Sequence, residues 1–441
     1  MKCFVSRKYA KFTFLIFTAL CVAGSSLAAE PRDGITIFDA DSNHIWDRTY
    51  ECLLVRQSND GKRYGADALD PLLWPETRYL LTGDSHRRAV ACLDEFLRSH
   101  AERAVQDPLR RAILQHDLWA VFDWVAAGDD LLKERQELEG RLAEAIHRLA
   151  ITSEQVRTLP DTYSAAVAAQ RFASEYDRRK PEQGFLPIDL FRSDGPWVCL
   201  SAYSNEPTAI VHFTGRSRFL VFMRCPGGRD ATLAYVAKLR SQTPLLRDES
   251  GNADFLNLRV SQFPVGTEVA LVRQIIVINN LGKLVPTSLT ESVQLRVYHS
   301  ITPGTKYLNY INGPSSHDQD FFEFRMSRQQ LFAAHDGGLL GIPPSQTEFA
   351  TFSTHGMDAF GTKDSPDSQG AILARCPVCH ADSGIHSVQS RLRWMKSTAD
   401  HAGKKSRNDY PIAWETKATI RKKEQRREFK LLQSVWRRAQ D

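Results

Sequence analysis

"EVALVRQIIVINNLGKLVP", Glu268 to Pro286, decides how the chain is read. Two runs rich in Val, Ile and Leu flank Asn279-Asn280-Leu281-Gly282-Lys283. β-Branched residues suit a pleated, half-buried strand, and a short Asn/Gly-bearing connection suits a hairpin. The stretch therefore predicts two antiparallel strands joined at Asn279–Lys283. Downstream, "SVQLRVYHSI" (292–301) and "DFFEFRM" (320–326) repeat the strand pattern, and Ser327 caps a short helix, "RQQLFAAH", before Gly337-Gly338. Upstream, "TAIVHFTGRSRFLVFMRCPGG" (208–228) reads as strand, turn at Gly215, strand, then a Pro-Gly stop. An antiparallel sheet of four to seven strands follows.

Before about Leu186 the period is helical. "DPLRRAILQHDLWAVFDWVAAG" (107–128) has Asp107 as N-cap, Pro108 at the first helical position and Gly128 as C-cap. Leu109, Ile113, Leu114, Leu118, Val121 and Phe122 recur along it. Leu131, Leu138, Leu142, Ile146 and Leu149 mark a second helix in 129–150, "TSEQVRTL" a short capped turn, and "DTYSAAVAAQRFASEY" a further helix. The fold class expected is α+β. A helical region (30–184) precedes a central antiparallel β domain (185–335), a Gly/Pro/Ser/Thr-rich loop or linker (336–370) and a C-terminal segment ending in a helix from about Trp414 (371–441).

Residues 1–29 read as a cleaved signal peptide. Lys2, Arg7, Lys8 and Lys11 precede an apolar run, Phe12–Gly24, and Ser26-Leu27-Ala28 supplies small residues for cleavage. This predicts a periplasmic or secreted protein. Six cysteines then remain, in a compartment that permits disulfides. Cys52 with Cys92, and Cys199 with Cys225, are the preferred pairs if any form, with isolated buried thiols an equal alternative. The net charge of +5 is uneven. Residues 402–441 hold twelve Lys or Arg against five Asp or Glu, leaving the body between signal and tail net acidic. Phe429, Leu432, Val435 and Trp436 make the tail a basic amphipathic helix, able to meet an anionic surface or acidic partner. An exported chain excludes nucleic acid as the natural partner.

The chemistry concentrates in Cys376-Pro377-Val378-Cys379-His380. C-x-x-C-H sets two thiols for thioether bonds to a haem and the next imidazole as axial ligand. These five residues, with the lead-in "QGAILAR", resemble c-type cytochromes. The resemblance implies covalent haem c on Cys376 and Cys379, with His380 as proximal iron ligand. Its function would be electron transfer through an unidentified redox partner protein, or service as a haem-bearing redox subunit. In small c-type cytochromes the motif opens the domain and a distal Met follows; here sixty-one residues remain after His380. Met357, His355, Met395, His386 and an open position all stand as the sixth ligand, with Met357 named as metal-site candidate. Zinc on Cys376, Cys379, His386 and His401 is the alternative cofactor. It would make the segment a structural zinc or disulfide clip on a secreted scaffold or binding protein. A thioredoxin-like dithiol is disfavoured, because Gly384 breaks the helix that should follow.

Elsewhere, Asp39, Asp41 and Asn43 alternate as in a calcium loop, but His44 replaces the turn glycine and Tyr50 the twelfth-position Glu. A capping loop is the expected role. The group His317, Asp318, Asp320 and Glu323 reads as solvated charge. Whether the protein is an enzyme is open: G-x-S-x-G, a phosphate-binding glycine loop and H-E-x-x-H are all missing.

Overall fold

The computed structural model describes residues 34–57, 63–67, 79–201, 206–242, 245–247, 254–257, 259–301, 318–343, 350–351, 370–371, 383–389 and 409–438. The helical part begins with α1 (Ile45–Leu54) and α2 (Gly83–Arg98). Helix α1 follows the loop expected to be a cap. Asp47 accepts the amides of Ile37, Phe38 and Asp39, folding that loop back onto the helix start. Helix α3 (Pro108–Ala127) starts as its sequence requires, with Asp107 accepting from the Leu109 amide. Every residue from Ala112 to Asp123 is buried, so α3 is a central helix rather than an amphipathic one. Helix α4 (Leu132–Leu149) lays Leu138, Leu142, Ile146 and Leu149 against it. Two short helices, α5 (Ser153–Arg157), with its Thr152–Gln155 capping box, and α6 (Thr162–Ala168), lead to the sheet.

The sheet comprises β1 (Val198–Leu200), β2 (Ser217–Arg224), β3 (Thr267–Ile278), β4 (Leu284–Tyr298), β5 (Gln319–Met326) and β6 (Leu339–Ile342). Its order is β6-β5-β4-β3-β2-β1, antiparallel throughout. Leu220, Phe222, Val272, Leu295 and Phe324 face one side, packed with Tyr163, Phe185 and Trp197. The β3–β4 hairpin runs beyond the sheet into the helical core. Ile275–Ile278 and Leu284 pack there with α3 and α4, which is why this run does not alternate. Gln115 of α3 treats the hairpin as a strand would: its amide donates to the Ile278 carbonyl (2.8 Å), and its carbonyl accepts from the Ile278 amide (2.9 Å). Residues Ile35–Asp441 accordingly form one compact unit.

Three expectations change. The run 208–213 is a 3-10 turn at Ile210–His212, not a strand. Pro226-Gly227 ends β2 at Arg224 as read, but an unexpected helix, α7 (Gly228–Arg240), starts directly after it, with Gly227 and Gly228 at positive φ. Strand β6 falls inside the expected linker. The cap at Ser327 and helix α8 (Arg328–Phe332) stand as read. Later come a single turn, α9 (His386–Gln389), and two C-terminal helices, α10 (Asp409–Glu424) and α11 (Arg427–Arg438). Helix α11 buries Phe429, Leu432, Val435 and Trp436 in the helical core, with Phe429 against Trp119 and Trp436 against His147. Gly282, at φ +72°, turns the hairpin directly beneath Trp436; a Cβ there would sit 3.0 Å from the indole. No helix among the described residues is long and apolar enough to cross a membrane.

Candidate functional site

The second face of the sheet carries charge where a core is usual. Register places Arg273 beside Ser292, Gln294 beside Glu323, Arg296 beside Phe321, and Ser292 beside Arg325. Side chains alternate along a strand, so Arg273, Gln294, Arg296, Glu323 and Arg325 share one face. Arg273, Arg296 and Glu323 are all less than a tenth exposed. Arg273 donates to Glu291 (3.2 Å), whose other oxygen accepts from the Ser217 hydroxyl (2.5 Å), and its guanidinium lies over Phe219. Arg325 reaches towards Asp67 at 3.9 Å. Arg296 differs. Its guanidinium lies 5.3 Å over the Phe321 ring, and its Nη1 has no hydrogen-bond partner; no carboxylate among the described residues pairs with it. A buried guanidinium without an anion is costly, by several kcal/mol in typical cases of order ~3–5. The geometry offers that position to an anion.

One step along β4 from Arg296, Tyr298 faces the same side and holds the segment that follows Cys376–His380. Its hydroxyl lies 2.6 Å from the Ser387 hydroxyl, which donates to the Gly384 carbonyl. Gln262 accepts from the Ile385 amide at 2.9 Å. Ile385 and Val388 enter the apolar cluster of Phe263, Tyr298, Val236 and Leu239. Gly384, at φ +54°, allows this approach: a Cβ would fall 2.2 Å from the Gln262 oxygen.

Of the residues singled out in sequence, Cys376, Cys379, His380, Met357, His355, Met395 and His401 lie outside the described residues. His386 lies within them and is buried on α9. Among the described residues no group of three His, Cys, Asp or Glu is placed to hold a metal. Cys52, Cys92, Cys199 and Cys225 are not joined in disulfides. Cys199 belongs to one face of the sheet and Cys225 to the other, so the pleat forbids the bridge between them that their neighbouring strands had suggested.

A second polar group ties the tail to the body. Lys423, 1% exposed, donates to Asp123 (2.7 Å), which also accepts from Arg216 (2.7 Å). Glu415 accepts from both the amide and the hydroxyl of Thr208. These charged residues were passed over in sequence, as was the arginine face. The available signal was alternation: Gln294/Arg296 and Glu323/Arg325 mark one side of strands whose other side is apolar, a pattern that normally denotes solvent.

No family model matches the chain, and neither a curated protein nor a solved structure does so.

Proposed function

We propose that this is an exported monohaem c-type cytochrome-like protein, acting in electron transfer or as a haem-bearing redox subunit. The observation that carries the reading is Cys376-Pro377-Val378-Cys379-His380 followed at once by an anchored segment, Ser383–Gln389. Cys376 and Cys379 would hold the haem through thioethers, with His380 as one axial ligand and Met357 as the candidate for the other. The group, when bound, supplies a one-electron iron couple. The rest is the work of the chain. Two residues, Ala381 and Asp382, separate His380 from Ser383 in sequence, and the three Cα steps span at most about 11 Å. In support, Tyr298 anchors Ser387 of the described segment on the face that holds Arg296. A haem carries two carboxylates, and Arg296 is a buried guanidinium with no anion among the described residues, so donor and acceptor chemistry fit. The exposed Arg427, Lys430, Arg437 and Arg438 leave a cationic surface for an acidic redox partner or an anionic surface, since the apolar side of α11 faces inward.

The test is expression with export and haem-attachment machinery, followed by a reduced pyridine spectrum and an intact mass. One covalent haem per chain is expected, retained through acid extraction. It is weakened by Cys376→Ala or Cys379→Ala and abolished by both. A haem-free chain carrying stoichiometric zinc overturns the reading in favour of a structural clip.

A further inference from the structure

Helices α1 and α2 run antiparallel, and their contacts descend as a ladder. Trp46 meets Phe96 (6.4 Å between rings), and Arg48 binds Glu95 through two hydrogen bonds (2.8 and 2.5 Å). One turn further along α1, and one turn back along α2, the same ladder sets Cys52 opposite Cys92, where each thiol acts on the other's proton affinity. Neither is joined in a disulfide and both are half-buried, so a small reagent can reach them. We propose that Cys52 and Cys92 are a redox dithiol that exchanges with small disulfides and closes into a bridge between α1 and α2.

The two sulfurs are not equivalent. The neighbouring Cys52 thiol holds the Cys92 thiol below its usual value against the effect of burial, with Arg48 and Arg88 adding to it. The Cys92 thiol, together with burial, pushes the Cys52 thiol up. Cys92 is therefore the attacking thiolate. It displaces one thiolate from a disulfide R–S–S–R and becomes a mixed disulfide with the remaining half. Cys52 then gives up its proton to the solvent and attacks the Cys92 sulfur, expelling the second thiolate. The protein loses two hydrogens, and the oxidant leaves as two thiols. Cys376 and Cys379 take no part.

The experiment treats the folded, full-length chain with oxidised glutathione, blocks the remaining thiols, and maps peptides by mass. In the unsubstituted protein the peptides bearing Cys52 and Cys92 are expected to be joined, and a dithiol reductant should separate them. Cys52→Ser should accumulate one glutathione on Cys92. In Cys92→Ser, Cys52 should react at least tenfold more slowly. Circular dichroism checks that each variant is folded, and the map of the unsubstituted chain decides the matter if one is not. The proposal is overturned if both thiols stay free in the folded, oxidised chain, or if Cys52 reacts as fast as Cys92. Neither result bears on the haem, whose cysteines lie on other peptides.

Discussion

Replacing Asp117 by Leu should be among the most damaging single changes in this protein. Asp117, on α3, is fully buried, and Arg328, which opens α8, is 1% exposed. The guanidinium Nε donates to one Asp117 oxygen at 2.9 Å and Nη2 to the other, while Nη1 donates to the Asp67 carbonyl at 2.9 Å. Tyr50 lies beneath it, 5.6 Å from ring centre to guanidinium. Removing the carboxylate strands a cation where water does not reach, at a cost of about 3–5 kcal/mol. Stability typically totals ~5–15 kcal/mol, so a third or more could be lost. The pair itself is not strongly stabilising, because desolvation offsets most of its attraction. Asp117→Leu combined with Arg328→Met should therefore recover the loss, ending between neutral and about 1–4 kcal/mol more stable. Urea denaturation followed by circular dichroism measures each corner of the cycle, with the slope held constant as evidence that only stability moved. A single substitution costing under ~1 kcal/mol, or a double no better than the single, would refute the argument.

Leu142→Ala, at a fully buried site facing α3, should cost roughly 2–5 kcal/mol by thermal or urea unfolding. Burial holds His147, beneath Trp436, below its usual pKa of 6.5. Unfolded chain thus takes up the proton first: the contribution is present above pH 6.5 and is lost as pH falls through the lower folded value. His147→Gln should flatten this acid-side loss, read as the change in urea midpoint between neutral and mildly acid buffer. Closing Cys52–Cys92 spans some forty residues of chain and should add up to about 4 kcal/mol over the reduced form; an unchanged midpoint would show strain or structure in the open loop. Arg296→Leu should leave the haem-free chain as stable or more so, since it removes a buried cation lacking an anion. In the haem-bearing form the same change should lower the midpoint potential, by withdrawing positive charge that favours the reduced iron.

Much of the architecture can be read locally. Asp107 and Pro108, Ser327, the Thr152–Gln155 box and the Asn279–Lys283 turn each act on a few neighbouring residues, and each stands where its chemistry predicts. What escapes is decided by distant partners. The Pro-Gly-Gly at 226–228 is a breaker by composition, yet packing of Val236 and Leu239 onto the sheet makes it a helix start. Arg273 and Arg296 look like a solvated face until their burial is known. In α11 the charges mark only the outward side, and Phe429 and Trp436 find their partners some three hundred residues upstream. For Cys376–His380 the sequence offers haem attachment as an expectation, and the fold adds the clamp on the nearby Ser383–Gln389.

The seating of α11 also governs when the protein can become itself. Trp119 has no Phe429, Asp123 no Lys423 and His147 no Trp436 until the last part of the chain has arrived. Contacts of such long sequence separation delay folding, and a core left open keeps the chain pliable meanwhile. If the chain is exported as proposed, that delay would keep the body translocation-competent until its closing helix follows it across. A stop codon shortly before Lys423 would then yield a chain that never consolidates, and proteases would be the first to register it.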